Sequence, residues 1–291
     1  LEFRKANTML RIMPASIYPE SIMGAKISAL SLEKWERELV RNTLILYDII
    51  EGKLIAIMGA YWLSQVRTAA STGVATKFLA NSDANVLGVL GSGRFAEMQI
   101  LAISAVRTLN QIKVYSRNEA KRIRFCETIR SNTNLEIVSV NTPKEVVRGS
   151  DILVTITDSA DPVFEGKWVE LGTHINAVGS NNPTHRELDS DLVVRSKVIV
   201  DSREQALKEA GDLIIPIQEG VFDVDNIYAE LGQVVAGVKL GRCNASEITL
   251  FKSCGIAIED IVVAGVVYDL AKKNNFGTEI DFGPVDATSV T

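Results

Sequence analysis

The segment VLGVLGSGRFAEMQI, residues 86–100, joins an apolar run to a glycine-rich turn and the start of a helical pattern. Residues 91–96 form G-x-G-x-x-A, in which Gly91 permits a tight turn and Gly93 lets the backbone approach a pyrophosphate. Ala96 allows a helix to pack closely on a strand, and the free N–H groups at the start of that helix would point at the phosphates. This context favours a dinucleotide site over an ordinary strand–helix turn. The expected cofactor contacts are Gly91, Ser92, Gly93, Arg94 and Phe95.

The end of the next apolar run bears on whether the dinucleotide carries a 2′-phosphate. A site that prefers NAD typically has Asp or Glu about 20 residues beyond the glycines, where it binds the ribose 2′-hydroxyl. This sequence has Ser116 and Arg117 there, followed by Asn118. Because a guanidinium binds a phosphate through paired hydrogen bonds, we expect NADP(H) to be favoured, with NAD(H) as the alternative if Arg117 is only a solvated loop residue.

Three cations near the start of the chain lie beside apolar or small residues. They are Arg4 in EFRKA, Lys26 in MGAKISA and Arg67 in QVRTAAS. Most lysines and arginines of globular proteins are solvated, and the spacing of these three does not by itself bring them together. They are candidates for binding an anionic substrate.

The elements that would position these residues follow two patterns. From residue 84 to residue 265, short strand-like runs alternate with helical stretches, which predicts an α/β Rossmann domain with a doubly wound parallel sheet. The predicted strands are Val86–Leu90, Gln111–Tyr115, Ile137–Val140, Ile152–Thr155, His174–Ala177 and Val198–Val200. Residues 227–236 are predicted as a helix.

The first 82 residues give strands, a hairpin signal at Glu51-Gly52 and a helix, and so predict a smaller α+β lobe. The expected domains are residues 1–82 for substrate binding and dimerisation, and residues 83–260 for the nucleotide. Residues 261–291 would hold a helix and a tail that return to the first lobe.

Composition excludes several classes of protein. The chain has 291 residues, of which 46% are hydrophobic, and a net charge of −5, so two domains with real cores are expected and nucleic acid or an anionic membrane is not an expected partner. Its apolar runs are too short to cross a bilayer. Three widely spaced cysteines form no CxxC pair, which argues against a zinc site, and no metal is expected. No basic-then-apolar leader opens the sequence, so a cytoplasmic location is expected.

Several longer motifs resemble the ornithine cyclodeaminase/μ-crystallin family over nearly the whole chain. They are RIMPA (11–15), GAK (24–26), VRTAA (66–70), GSGRFAEMQ (91–99), INAVGSNNPTHRELD (175–189) and GRCNASEITLFKSCGIAIEDIVVA (241–264). The family includes archaeal-type alanine dehydrogenases and cyclic imine reductases. The resemblance also implies that the first lobe is truncated at its N-terminal side.

The resemblance implies roles for the cations. Arg67 matches an arginine that binds the substrate carboxylate, Lys26 a lysine that contacts the substrate and passes a proton, and Arg4 a second carboxylate-binding arginine. A lysine desolvated beside an arginine has a lowered pKa, which suits a proton donor. The residues that match positions near the cofactor are Thr157, Ser159, Val178, Gly179, Ser253 and Gly255.

One departure separates members of the family. Asn181, in GSNNP, stands where cyclodeaminases carry a catalytic aspartate, and an amide neither accepts a proton nor pairs as a charge with an ammonium group. We therefore expect reversible hydride transfer at the α-carbon of an amino or imino acid, such as pyrroline-2-carboxylate or alanine. The alternatives are ornithine cyclodeaminase, with NAD recycled internally, and a non-catalytic binder of NADP(H) and a small acid. A homodimer is expected.

Overall fold

The computed structural model describes residues 2–3, 8–31, 41–133 and 135–281. The chain divides into two compact units. Unit 1 comprises Leu1–Arg67 and Ala257–Thr291, and unit 2 comprises Thr68–Ile256. The functional division at 82/83 and 260/261 stays a prediction.

Unit 1 contains an antiparallel sheet whose strands follow one another in chain order. Its strands are β1 (Glu2–Phe3), β2 (Thr8–Ile17), β3 (Ile22–Ser31), β4 (Arg41–Asp48) and β5 (Leu54–Gly59). The predicted hairpin signal at Glu51-Gly52 lies in the turn between β4 and β5, where Gly52 has a φ of 64°. Glycine takes this left-handed conformation without a steric penalty, so the turn closes as expected. The helix α1 (Tyr61–Leu79) follows.

Unit 2 is built on a parallel sheet in the order β12-β11-β13-β10-β9-β6-β7-β8. Its strands are β6 (Val86–Leu90), β7 (Gln111–Tyr115), β8 (Ile137–Ser139), β9 (Ile152–Thr155), β10 (His174–Ala177), β11 (Lys197–Val200), β12 (Ile227–Glu230) and β13 (Thr249–Lys252). Its helices are α2 (Ala96–Ser104), α3 (Glu119–Asn132), α4 (Pro143–Val147), α5 (Ser190–Arg195), α6 (Arg203–Glu209), α7 (Gly211–Gln218) and α8 (Leu231–Val235). The predicted fold class, a parallel α/β sheet with a smaller lobe, is confirmed.

The order of these strands reverses beside β6. From β6 the chain passes outwards to β7 and β8, and then crosses back so that β9 lies on the other side of β6. In an open parallel sheet, ligands bind outside the carboxyl ends of the strands at such a switch point. The glycine turn, residues 91–96, directly follows the carboxyl end of β6.

One prediction within unit 2 was wrong, and one of its strands was not predicted. Residues 227–236 do not form one helix, since Ile227–Glu230 is β12 and only Leu231–Val235 is helical. Alternating burial along Ile227–Glu230, with Ile227 and Ala229 inside, explains why the segment pairs with β11 as an edge strand. The second miss is β13, which is buried along its whole length although it ends in Lys252.

The final helix, α9 (Ala257–Lys273), belongs to unit 1 and packs on β2, β3 and β4. The core there is made of buried aliphatic side chains: Leu44, Leu46, Ala60, Leu63, Ile261 and Ala264. In the described part of the chain, no helix has the length and apolar character needed to cross a bilayer.

Candidate functional site

Unit 1 brings Lys26 and Arg67 together through a shared carboxylate. Lys26 Nζ lies 2.7 Å from Asp260 Oδ2, and Arg67 Nε lies 3.1 Å from Asp260 Oδ1. Arg67 also donates through NH1 to Glu259 Oε2 at 2.8 Å. These four residues, on β3, α1 and α9, are called the Lys26 cluster below. Two of the three cations singled out in the sequence therefore belong to one ionic group, and Arg4 lies outside the described residues.

Local structure places each member of the cluster. Gly24, two residues before Lys26, lies so close to β4 that a Cβ would meet the carbonyl oxygen of Ile45 at 2.1 Å. Only glycine therefore allows β3 and β4 to approach this closely. Glu259 and Asp260 occupy the first turn of α9, where the helix dipole stabilises negative charge.

Burial sets the proton affinity of Lys26. Its side chain is 4% exposed and that of Asp260 is fully buried. Burial and the neighbouring Arg67 lower the pKa of Lys26 to about 8, although the Asp260 carboxylate works in the opposite direction. The ammonium group is thus protonated at neutral pH yet able to release its proton, which suits a general acid.

The glycine turn in unit 2 uses its two glycines for different reasons. Gly91 has a φ of 122°, and a Cβ there would meet the carbonyl oxygen of Ile156 at 2.4 Å. Gly93 is exposed, and a Cβ there would meet no atom within 4 Å. The packing of the described chain therefore does not demand glycine at 93. The helix α2 begins beside it without a side-chain cap at Phe95, so backbone N–H groups at the start of the helix have no side-chain partner there.

The segment that follows β7 contacts the glycine turn. Ser116 Oγ lies 2.8 Å from Ser92 Oγ, so the serine pair ties the glycine turn to the end of β7. Arg117 is exposed and forms no ion pair within the described ranges. Arg94 stacks over the ring of Phe95 at 4.7 Å. The Asn118 side chain accepts a hydrogen bond from Lys121 N at 2.9 Å as the N-cap of α3, so its side chain already has a structural role.

The other expected cofactor contacts follow neighbouring strands of the sheet. They are Thr157 and Ser159 after β9, Val178 and Gly179 after β10, and Ser253 and Gly255 after β13. Because parallel strands share one carboxyl edge, these residues lie along the same edge as the glycine turn. Asn181 is exposed on the segment that follows β10.

Buried carboxylates that sequence reasoning did not assign hold these segments. Asp201, which directly follows β11, accepts hydrogen bonds at Oδ2 from Ser253 Oγ, Cys254 N and Gly255 N, at 2.9, 2.7 and 2.6 Å. Glu187 does the same for the segments after β9 and β10. An acidic residue just beyond an apolar strand, as in VIVD (198–201), is the signal that could have revealed Asp201.

In unit 1, Glu259 and Asp260 were also missed as partners of the cations. They stand inside the motif GIAIEDIVVA, where their apolar neighbours indicate a partly buried helix. A carboxylate within such a helix needs a cation, but the sequence does not say which one. Over the described ranges, no group of three or more His, Cys, Asp or Glu side chains is arranged to hold a metal ion.

Comparisons with known proteins show which family this chain is similar to. The model of the ornithine cyclodeaminase/mu-crystallin family matches residues 1–275. The Δ1-pyrroline-2-carboxylate reductase of Bacillus cereus is 37% identical over 285 residues, which cover 97% of this chain and 87% of that protein.

Two solved structures extend the comparison to the fold. The Δ1-pyrroline-2-carboxylate reductase of Thermococcus litoralis, in complex with NADH and L-proline, superposes with a TM-score of 0.92 at 39% identity, covering 96% of this chain and 87% of that one. An archaeal alanine dehydrogenase dimer with bound NAD gives 0.90 at 35% identity, covering 97% and 87%. This chain belongs to the ornithine cyclodeaminase/mu-crystallin family.

Proposed function

We propose that this chain is an NAD(P)H-dependent oxidoreductase that reduces the C=N bond of an α-imino acid. The first candidate substrate is a cyclic ketimine such as Δ1-pyrroline-2-carboxylate, and the second is the imine formed from pyruvate and ammonia. Relatives of 35 to 39% identity that are named for these two reactions support the class of substrate.

The Lys26 cluster is the observation that carries the proposal. An α-imino acid presents a carboxylate beside the carbon that accepts hydride, and Arg67 offers a guanidinium fork for that carboxylate. Glu259 is the more exposed of the two carboxylates on Arg67, at 16% against 0% for Asp260. A substrate carboxylate therefore replaces the Glu259 contact, while Asp260 keeps both cations in place.

Lys26 supplies the proton of the reaction. A reduced nicotinamide dinucleotide, which the glycine turn of unit 2 would hold, would supply the hydride for the imine carbon and would itself be oxidised. As the C=N π bond is reduced, Lys26 Nζ gives a proton to the nitrogen, and the product is the amino acid. Lys26 regains its proton from water. With a pKa of about 8, the lysine is charged before the transfer, and the loss of its proton requires little free energy near neutral pH.

Unit 2 would hold the dinucleotide through the glycine turn and the carboxyl edge of its sheet. Gly93 and the uncapped start of α2 suit the pyrophosphate. Ser116 and the exposed Arg117 suit a 2′-phosphate, and we propose that NADP(H) is preferred while NAD(H) is still accepted.

A homodimer is the proposed assembly. On α9 the exposed residues Ile258, Val262, Val266 and Leu270 recur every fourth position, so they form one apolar stripe on the helix. Exposed apolar surface of this kind marks an interface, and a self-complementary contact between two copies would cover it. Light scattering of the purified protein, with V266D as the disrupting variant, tests this. A wild-type monomer would contradict it.

The decisive experiment is a substrate panel with NADH and NADPH. We expect steady oxidation of the cofactor with Δ1-pyrroline-2-carboxylate, and slower oxidation with pyruvate plus ammonia. Release of ammonia from ornithine without net change of cofactor would instead indicate a cyclodeaminase. Tight cofactor binding without turnover on any member of the panel would indicate a binding protein.

A further inference from the structure

A single buried carboxylate ties together two segments at the carboxyl edge of the parallel sheet. Glu187 lies beyond β10 and its side chain is fully buried. Its Oε1 accepts hydrogen bonds from Thr157 N at 2.6 Å and from Thr157 Oγ1 at 2.8 Å. Its Oε2 accepts from Thr155 Oγ1 at 2.9 Å, Gly179 N at 2.9 Å and Ser180 N at 3.3 Å. Five donors from the ends of β9 and β10 thus converge on one side chain.

The two segments approach each other so closely that only glycine fits at position 179. A Cβ at Gly179 would meet Thr157 N at 2.2 Å and Glu187 Oε1 at 2.4 Å. The backbone at 179 therefore passes directly over the carboxylate. Because β9 flanks the switch point of the sheet, the geometry of this contact sets the shape of the edge next to the glycine turn.

The backbone at Glu187 is held by Asp212, which forms a buried ion pair with Lys252. Asp212 Oδ1 accepts hydrogen bonds from Glu187 N at 2.7 Å and Leu188 N at 2.9 Å. Asp212 Oδ2 lies 2.9 Å from Lys252 Nζ, and both side chains are fully buried. Lys252 also donates to the carbonyl oxygen of Ser180, one residue after Gly179. Burial alone would lower the pKa of Lys252, but the neighbouring acidic groups, with Asp212 contributing most, together outweigh burial and raise that pKa, which keeps the lysine charged.

We propose that Glu187 is a positioning residue for cofactor binding: it locks the segments of Thr157 and Gly179 in the shape that accepts the dinucleotide. The inference rests on the proposed function, because it assumes that a nicotinamide dinucleotide binds at this edge. Glu187 touches neither the substrate nor the reacting atoms in this role. It acts through the backbone that it fixes.

Glutamine is not an equivalent replacement at this position. Both oxygens of Glu187 accept hydrogen bonds, and each faces a backbone N–H group at 2.9 Å or less. In either orientation, the amide nitrogen of Glu187→Gln would oppose one of those N–H groups as a second donor. The variant keeps the size of the side chain but cannot accept hydrogen bonds from both backbone segments.

The chain offers a matched control at the opposite end of the same strand. Asp151, immediately before β9, accepts hydrogen bonds at Oδ2 from Asn85 N and Val86 N, both at 2.9 Å. Asp151→Ala also removes a carboxylate that binds backbone N–H groups and is expected to lower stability, but at the amino edge of the sheet. Comparison of the two variants separates a loss of fold stability from a loss of cofactor-site geometry.

The experiment measures the NADH dissociation constant by fluorescence, the KM of the imine at saturating NADH, and unfolding in urea. For Glu187→Gln, we expect the dissociation constant to rise at least about tenfold, because charge-assisted hydrogen bonds to two segments are lost, with little change in the KM of the imine. For Asp151→Ala, we expect a change of less than about twofold, because independent distant sites do not couple. Amide hydrogen exchange at Thr157 and Gly179 should accelerate only in Glu187→Gln.

Unchanged NADH affinity in Glu187→Gln, or an equal loss in both variants, would overturn the inference. If Glu187→Gln does not fold, Thr155→Val removes one of the five donors and keeps the carboxylate. It should weaken NADH binding by only about threefold, because the carboxylate keeps its other four donors, and wild-type affinity in this variant would count against the proposal. Failure of the wild-type protein to bind either NADH or NADPH would overturn the proposed function itself, and this inference with it.

Discussion

The two units use buried charge in different ways. In unit 1, Lys26 and Arg67 meet the side chains of Glu259 and Asp260, so charge is paired with charge. Unit 2 also holds one fully buried ion pair, Lys252–Asp212, but its carboxylates at the carboxyl edge of the sheet, Asp201 and Glu187, accept hydrogen bonds from backbone N–H groups and hydroxyls.

The two arrangements have different consequences: the first leaves groups that can react with or bind a ligand, and the second fixes the backbone. A cation paired with a carboxylate keeps a proton that can move and a contact that a substrate anion can exchange. A carboxylate surrounded by backbone donors fixes the chain and offers nothing to a ligand. On this comparison, we expect substitutions in the Lys26 cluster to change turnover or substrate binding, and substitutions at the carboxyl edge of the sheet in unit 2 to change cofactor binding.

Removal of the proton donor is expected to have the largest effect. Lys26→Met keeps an unbranched side chain but has no proton to give, so kcat for imine reduction should fall by about 10²- to 10⁴-fold, the usual contribution of a general acid. Fluorescence titration should show unchanged NADH affinity. A variant that retains more than a tenth of the wild-type kcat, by the same assay, would remove Lys26 from the mechanism.

The arginine should affect substrate saturation next most strongly. Arg67→Ala should raise the KM of the imine at least about tenfold, because a charge-assisted hydrogen bond contributes roughly 1.5–3 kcal/mol. Arg67→Lys is the control: it keeps the charge without the planar fork, so it should recover only part of the loss. An unchanged KM in Arg67→Ala would show that the substrate carboxylate binds elsewhere.

The rate of reduction should depend on pH in one direction. Lys26 must be protonated to donate, and its pKa is lowered to about 8. Reduction should therefore slow as pH rises through about 8, by about tenfold per pH unit beyond it, whereas oxidation of the amino acid should accelerate over the same range. Initial rates in both directions, from pH 6 to 10, check this. The same pH dependence in both directions would contradict the assignment of Lys26 as the proton donor.

The smallest effect is expected at the cofactor's 2′ position. Arg117→Asp should shift the preference from NADPH towards NADH by several-fold, because an acidic group repels the 2′-phosphate and binds the free 2′-hydroxyl. The ratio of kcat/KM values for the two cofactors measures it. An unchanged ratio would mean that Arg117 is a solvated loop residue.

Local patterns foretold much of unit 2. Four of the predicted strands, Val86–Leu90, Gln111–Tyr115, Ile152–Thr155 and His174–Ala177, have the observed bounds. Val86–Leu90 and Ile152–Thr155 are nearly continuous apolar runs, as expected for strands buried on both faces, whereas Gln111–Tyr115 alternates buried apolar residues with partly exposed ones. The strand β13 escaped this rule, since its last residue is Lys252, whose charge is matched by Asp212, a partner from a different segment of the chain.

The sequence by itself determined the glycine turn and the parallel α/β architecture, because turn chemistry and hydrophobic periodicity act over a few neighbouring residues. It singled out Lys26 and Arg67 only through motifs that resemble the family. Only the tertiary structure decided which acids those cations meet, since Arg67 and Glu259 are 192 positions apart. It also decided that Glu187 faces the donors of two strands. Such contacts depend on how separate elements pack, and no local pattern encodes them.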